Sequence, residues 1–204
     1  MSSDTPLDGH GPDLVAVELI REIATAILDG APESLREVHA AEVAERWLRQ
    51  VEDVADPVRD VLAALSRSTA AYAVAMHRDD VAATEAWLIS QHADTTKGAR
   101  EAGVDHPAMP VALALARLAV EGIATERAGL DSDDLDADRE QRHDAHCDRY
   151  VREGSVALDA YTLIAAAAIL AATVLVHISR RRRDVVRQLD HQAAEVTAGR
   201  DAPH

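Results

Sequence analysis

The chain of 204 residues has no phenylalanine, one cysteine and one lysine, and only two tryptophans and three tyrosines supply its aromatic side chains. The single cysteine, Cys147, excludes an internal disulfide framework and suits a reducing compartment. So few aromatics exclude a stacking platform for single-stranded nucleic acid. Positive charge is also short: 21 basic residues face 36 acidic ones, for a net charge of −15. That balance excludes a phosphate-backbone binder, and no nucleic-acid partner is expected. Residues 1–12 have neither a basic start nor an apolar stretch, so they read as a frayed tail rather than a secretory signal.

What is present favours helix. Alanine makes up about a fifth of the chain, and strand formers other than valine are scarce. Apolar residues recur at helical spacing through most of the length. The pattern predicts an all-α fold, a helical bundle of about five to seven helices with a long, strongly apolar C-terminal helix. The expected organisation is a bundle over 13–129, an acidic linker or polar helix over 130–149, the long helix over 150–198 and a tail over 199–204.

Within the bundle the first helix runs from an Asp13 cap to Asp29, ended by Gly30 and Pro32. A second covers Pro32–Val54, with Leu35, Val38, Val43, Trp47, Leu48 and Val51 inward. Asp56-Pro57 opens a third, and Asp79-Asp80 caps a fourth. The stretch from Ala70 to Leu88 is similar to one tetratricopeptide-type hairpin, without a second copy at a fixed period. Asp94–Pro110 reads as a Gly-, Thr- and Pro-containing loop. Pro110–Arg127 reads as a buried helix in which Arg117 and Glu121 are spaced to pair. Trp47 and Trp87 are expected in the core. A bend is expected at Gly154.

Ala160–Ile178 contains no Asp, Glu, Lys or Arg, and Arg180, Arg181, Arg182 and Arg183 follow it. Its mean hydropathy passes the transmembrane threshold, and as a helix it would be about 28 Å long, close to the hydrocarbon thickness of a bilayer. This predicts a cell-membrane anchor, with Arg180–Arg183 at the membrane edge and most of the chain in the cytoplasm. The alternative is a cytoplasmic, oligomeric bundle in which the same residues form the core or interface helix. Seven alanines, Thr162, Thr173 and His177 favour the second reading; the hydropathy and the arginines favour the first.

No phosphate loop, dinucleotide fingerprint, nucleophile elbow or His-Glu-x-x-His occurs. Asp133-Asp134 and the acidic residues after them lack the Gly and Glu positions of a calcium loop. On a helix, His143 and Cys147 share a face at a separation of four, which can hold half of a zinc site, with His146 beside them. Over about eight residues the spacing resembles the His-x-x-x-Cys-x-x-Cys pattern of zinc anti-sigma factors, and Tyr150 stands in place of the last cysteine. The resemblance implies a metal-responsive regulator using His143 and Cys147. The main functional expectation is a non-enzymatic protein that works through contacts with another protein or with itself; no catalytic set and no cofactor are expected.

Overall fold

Sequence-local rules place the helices in the computed structural model, which describes residues 11–48, 56–130, 132–153, 158–179 and 181–200. Of the expected tails, 1–10 and 201–204 lie outside the described residues, as do the far end of the second helix (49–54), the expected bend at Gly154 and Arg180, whereas Pro12 opens the first helix and Gly199 and Arg200 belong to the last. Asp56 Oδ1 accepts from the Arg59 amide at 3.2 Å, and Pro57 supplies a preset φ, so α3 (Pro57–Met76) starts there. Asp80 Oδ1 accepts from the Ala83 amide at 2.9 Å and starts α4 (Val81–Glu101). Between them, Arg78 (φ 57°) and Asp79 (φ 66°) both adopt the left-handed conformation that L-residues disfavour. Gly103 and Gly129 take the same conformation without a Cβ penalty, just past α4 and α5 (Ala108–Arg127).

The remaining helices are α1 (Pro12–Leu28), α2 (Glu33–Leu48), α6 (Asp133–Glu153), α7 (Leu158–Ser179) and α8 (Arg182–Arg200). The fold is all-α, with eight helices and no strand among the described residues. The count exceeds five to seven because the expected C-terminal helix is divided. The Arg181 amide donates to Ser179 O at 2.7 Å, in a turn between α7 and α8. That turn folds α8 back, so Val185 and Leu189 are buried and α8 lies against α1 and α7.

α7 is the axis of the bundle. α1, α2, α3 and α5 pack around it, and α8 and α6 touch it at lesser length. Leu163, Ile164 and Leu175 are fully buried, each removal from water contributing roughly 1.5–3 kcal/mol. Ala165, Ala166, Ala167, Ala168, Ala171 and Ala172 are buried with them, and their small side chains let neighbouring helices approach closely. α7 and α5 are both long and apolar enough to cross a membrane by length and composition. α4 packs against α5, completing a smaller cluster around Leu88, Leu113 and Val120.

Several local expectations change. Helix α4 runs through Thr95, Thr96 and Gly98 to Glu101, where a loop was expected. The threonine hydroxyls donate to carbonyls one turn back, Thr95 to Gln91 O at 2.8 Å and Thr96 to His92 O at 2.7 Å, so they do not compete with the helix. The acidic run opens α6, because three aspartates in a first turn complement the helix dipole. On α2, Val43 is buried, but Leu35 and Val38 are 60% and 57% exposed instead of facing inward. Trp47 and Trp87 are half-buried; Trp47 Nε1 donates to Glu22 Oε1 at 3.2 Å. Arg117 and Glu121 do not pair: Arg117 meets Glu85 at 3.5 Å, and Glu121 takes both ends of the Arg142 fork.

Candidate functional site

α6 is the most polar helix, and it lies over α5 while touching α3 and α7. Only two of its side chains with described burial, Cys147 and Tyr150, are fully withdrawn from solvent. The rest of its attachment is polar. Arg142 donates to both Glu121 oxygens at 3.0 and 2.8 Å. Arg59 reaches from α3 to Asp144 at 3.3 Å and Asp148 at 2.5 Å, and also meets Asp56 at 3.1 Å. Near its C-terminal end, His106 stacks on Tyr150 with ring centroids 4.0 Å apart, and His106 Nε2 contacts Tyr150 O at 2.7 Å.

A polar helix held by spaced ion pairs over apolar neighbours leaves a groove between α3, α5 and α6, with a volume of about 620 Å³. One wall is apolar and comes from α5: Leu115, Leu118, Ala119 and Ile123. Gly122 belongs to the same wall. A Cβ there would stand 3.4 Å from Arg139 Nε, so the glycine is where the Arg139 side chain crosses from α6. Arg139 is then bonded to Thr125 Oγ1 at 2.6 Å and paired with Asp136. The facing walls carry charge: Arg59, Asp60 and Arg67 from α3, and Asp136, Glu140 and Asp144 from α6. Glu126 closes the end supplied by α5.

The electrostatics of these groups follow their partners. The hydrogen bond that Arg59 donates to Asp148, with Asp144 and Asp56 nearby, raises the Arg59 pKa against some desolvation. The Arg142 fork holds Glu121 below its ordinary value, and Glu121 in turn raises Arg142. His143 lines the groove; its pKa is lowered by burial, with Asp144 opposing. Its Nε2 is enclosed and has no protein hydrogen-bond partner.

The structure brings His143 and Cys147 together, with Cys147 Sγ 3.9 Å from His143 Nδ1 and Asp144 Oδ1 3.6 Å from the same nitrogen. His146 is half-buried, and its pKa is lowered chiefly by that burial. Burial pushes the Cys147 thiol up to about 12, so it is protonated at neutral pH. Among the described residues, no group of three or more His, Cys, Asp and Glu side chains is arranged to hold a metal ion. The paired aspartates take part in helix starts and an ion pair. Asp80 caps α4, Asp79 pairs with Arg127 at 3.3 Å, and Asp133 and Asp134 sit in the first turn of α6. In the basic run, Arg182 pairs with Asp29 at 2.9 Å, while Arg181 and Arg183 are exposed.

Sequence reasoning missed Arg59, Asp60, Arg67, Arg139 and Gly122. A faint signal existed: Arg59, Ala63, Ser66 and Arg67 share one face of α3 by spacing. Nothing local tells that this face meets α6, 85 residues away. Comparison with protein-family models, with curated proteins and with solved structures finds no match, so the chemistry of the groove is read from its own residues.

Proposed function

We propose that the chain is a soluble helical module that acts through non-covalent contacts with another protein or a second copy of itself, with Ala160–Ile178 as its core helix. The observation carrying this reading is the enclosure of α7 by α1, α2, α3 and α5. Its buried alanines already have protein neighbours, and a bilayer could reach them only after the bundle opened. The state of Cys147 also supports a binding role. A protonated, 2% exposed thiol is a packing group rather than a nucleophile. A contact surface is offered by α2, where exposed Leu35 and Val38 lie one turn apart beside exposed Glu37 and Glu42.

Fractionation of cells expressing the full chain, with an alkaline wash of the membranes, tests the core-helix reading. The expected result is recovery in the soluble fraction. Retention in washed membranes, lost on deleting Ala160–Ile178, would overturn it in favour of an anchor. Light scattering on the purified chain tests the contact surface. A Leu35→Glu/Val38→Glu variant is expected to lose self-association or partner capture while keeping its helical spectrum.

A further inference from the structure

The groove between α3, α5 and α6 has a charge arrangement that the bundle does not use. Its arginines are already neutralised: Arg59 by Asp56, Asp144 and Asp148, Arg67 by Asp13 at 2.7 Å, and Arg139 by Asp136. Three other lining carboxylates, Asp60, Glu126 and Glu140, are exposed and make no ion pair among the described residues. The groove therefore presents uncompensated negative charge beside an apolar wall.

These carboxylates are spread along the groove. Asp79, in the turn that follows α3, meets Arg127 at the C-terminal end of α5. α3 and α5 therefore run in the same direction. Asp60, in the first turn of α3, lies towards one end, and Glu126, in the last turn of α5, lies at the other. Arg139 crosses at Gly122 and bonds Thr125 next to Glu126, so Glu140 on α6 lies nearer the Glu126 end. The α5 wall from Leu115 to Glu126 spans eleven residues, about 16 Å of helix rise. The C-terminal turn of α5 adds the negative end of its dipole near Glu126.

We infer that this groove binds a linear aliphatic polyamine. Its methylene segments would lie on Leu118, Ala119 and Ile123, and its ammonium groups would face Asp60, Glu140 and Glu126. The match is chemical and dimensional. An extended tetraamine with three- and four-carbon spacers has charges at both ends and within, separated by apolar links. A compact hydrated metal ion matches the charge but leaves the apolar wall wet. An alkyl monoamine covers the wall but leaves two carboxylates unanswered. The inference does not rest on the soluble-module reading and concerns a different face from Leu35 and Val38.

Calorimetric titration of the full chain with spermine, paired with methyl NMR of the same sample, tests this. One saturable site is expected, with methyl shifts at Leu118 and Ile123. The variant Asp60→Asn/Glu126→Gln/Glu140→Gln should bind about tenfold more weakly. The variant Asp94→Asn/Asp105→Asn/Glu195→Gln removes the same charge from exposed positions elsewhere and should bind as the native chain does. Equal weakening in both variants would reduce the effect to diffuse attraction by a chain of net charge −15 and overturn the proposal. So would displacement of spermine by magnesium at equal charge concentration, shifts that avoid Leu118 and Ile123, or no saturable binding in the millimolar range. Should the triple variant lose its helical spectrum, Glu126→Gln and Glu140→Gln singly carry the comparison, each expected to weaken binding about twofold.

Discussion

Arg59 on α3 donates from Nη2 to Asp148 Oδ1 on α6 across 2.5 Å, joining helices whose paired residues are 89 positions apart. The same guanidinium meets Asp144 and Asp56, so one cation separates three carboxylates. Substituting Arg59→Ala leaves those carboxylates facing one another. Solvent reaches Arg59, which screens part of the interaction, so the expected loss is about 1–2 kcal/mol. Thermal melts should show a fall of a few degrees that narrows in high salt. A salt-independent fall would point to lost packing of the arginine stem instead.

The turn between α3 and α4 offers a gain. Arg78 and Asp79 are consecutive left-handed residues, each disfavoured by contact between Cβ and carbonyl. Asp79 also pairs with Arg127, so Arg78 is the freer position. Arg78→Gly should stabilise the chain by about 0.5–1 kcal/mol, relief of strain outweighing the extra freedom of the unfolded glycine. Urea denaturation would show a higher midpoint with an unchanged slope.

α7 supplies a substitution whose sign depends on its surroundings. Ala168 is fully buried in the bundle. Ala168→Leu adds volume where helices are in close contact and should destabilise the soluble chain by about 1–3 kcal/mol. In a lipid-exposed span the same change would favour insertion, because leucine partitions better than alanine. A lower urea midpoint fits the core-helix reading; greater retention in washed membranes fits the anchor.

Burial and one ion pair set the pH range of stability from opposite sides. Folding lowers the His143 pKa below its ordinary 6.5, and the Arg142 fork lowers Glu121 below 4.5. For both groups the unfolded chain binds protons more tightly, so stability is full above the unfolded values and falls as pH drops through them. Burial raises Cys147 from 9.0 and Tyr72 from 10.0, each to about 12. There the folded chain holds the proton more tightly, so stability is lost as pH rises above about 9. Denaturation midpoints should form a plateau between roughly pH 6.5 and 9. Cys147 should react with a thiol reagent inside that plateau only at the rate of unfolding; fast labelling of the native chain would contradict its burial.

The parts of this structure legible in the sequence were those set within one helix or one turn. The Asp56-Pro57 start, the Asp80 cap and the buried stripe of α3 needed no distant information. The expected loop at Asp94–Pro110 failed because Thr95 and Thr96 satisfy their hydroxyls on their own helix, a choice that composition does not reveal. The arginine run has the pattern of continuous helix because no Gly or Pro marks it. The turn after Ser179 is favoured by burial of Val185 and Leu189 elsewhere in the fold. Leu35 and Val38 carry the same periodic signal as Val43, yet none of the described helices covers them. The groove escaped for a related reason. Its walls come from three helices, and each charged residue taken alone resembles an ordinary solvated position.

The axial helix of this bundle is the seventh of the eight described helices in chain order. When α1–α5 have left the ribosome, the surface they later close around has not been synthesised. Their inner faces, Leu19, Ile20, Val61, Leu62 and Leu115 among them, must wait in contact with one another or with a chaperone. Final closure is then a late, long-range event rather than stepwise growth from the N-terminus. Halting synthesis before Leu158 should leave a helical but loosely packed chain, and its arrival should bring the whole assembly to order at once.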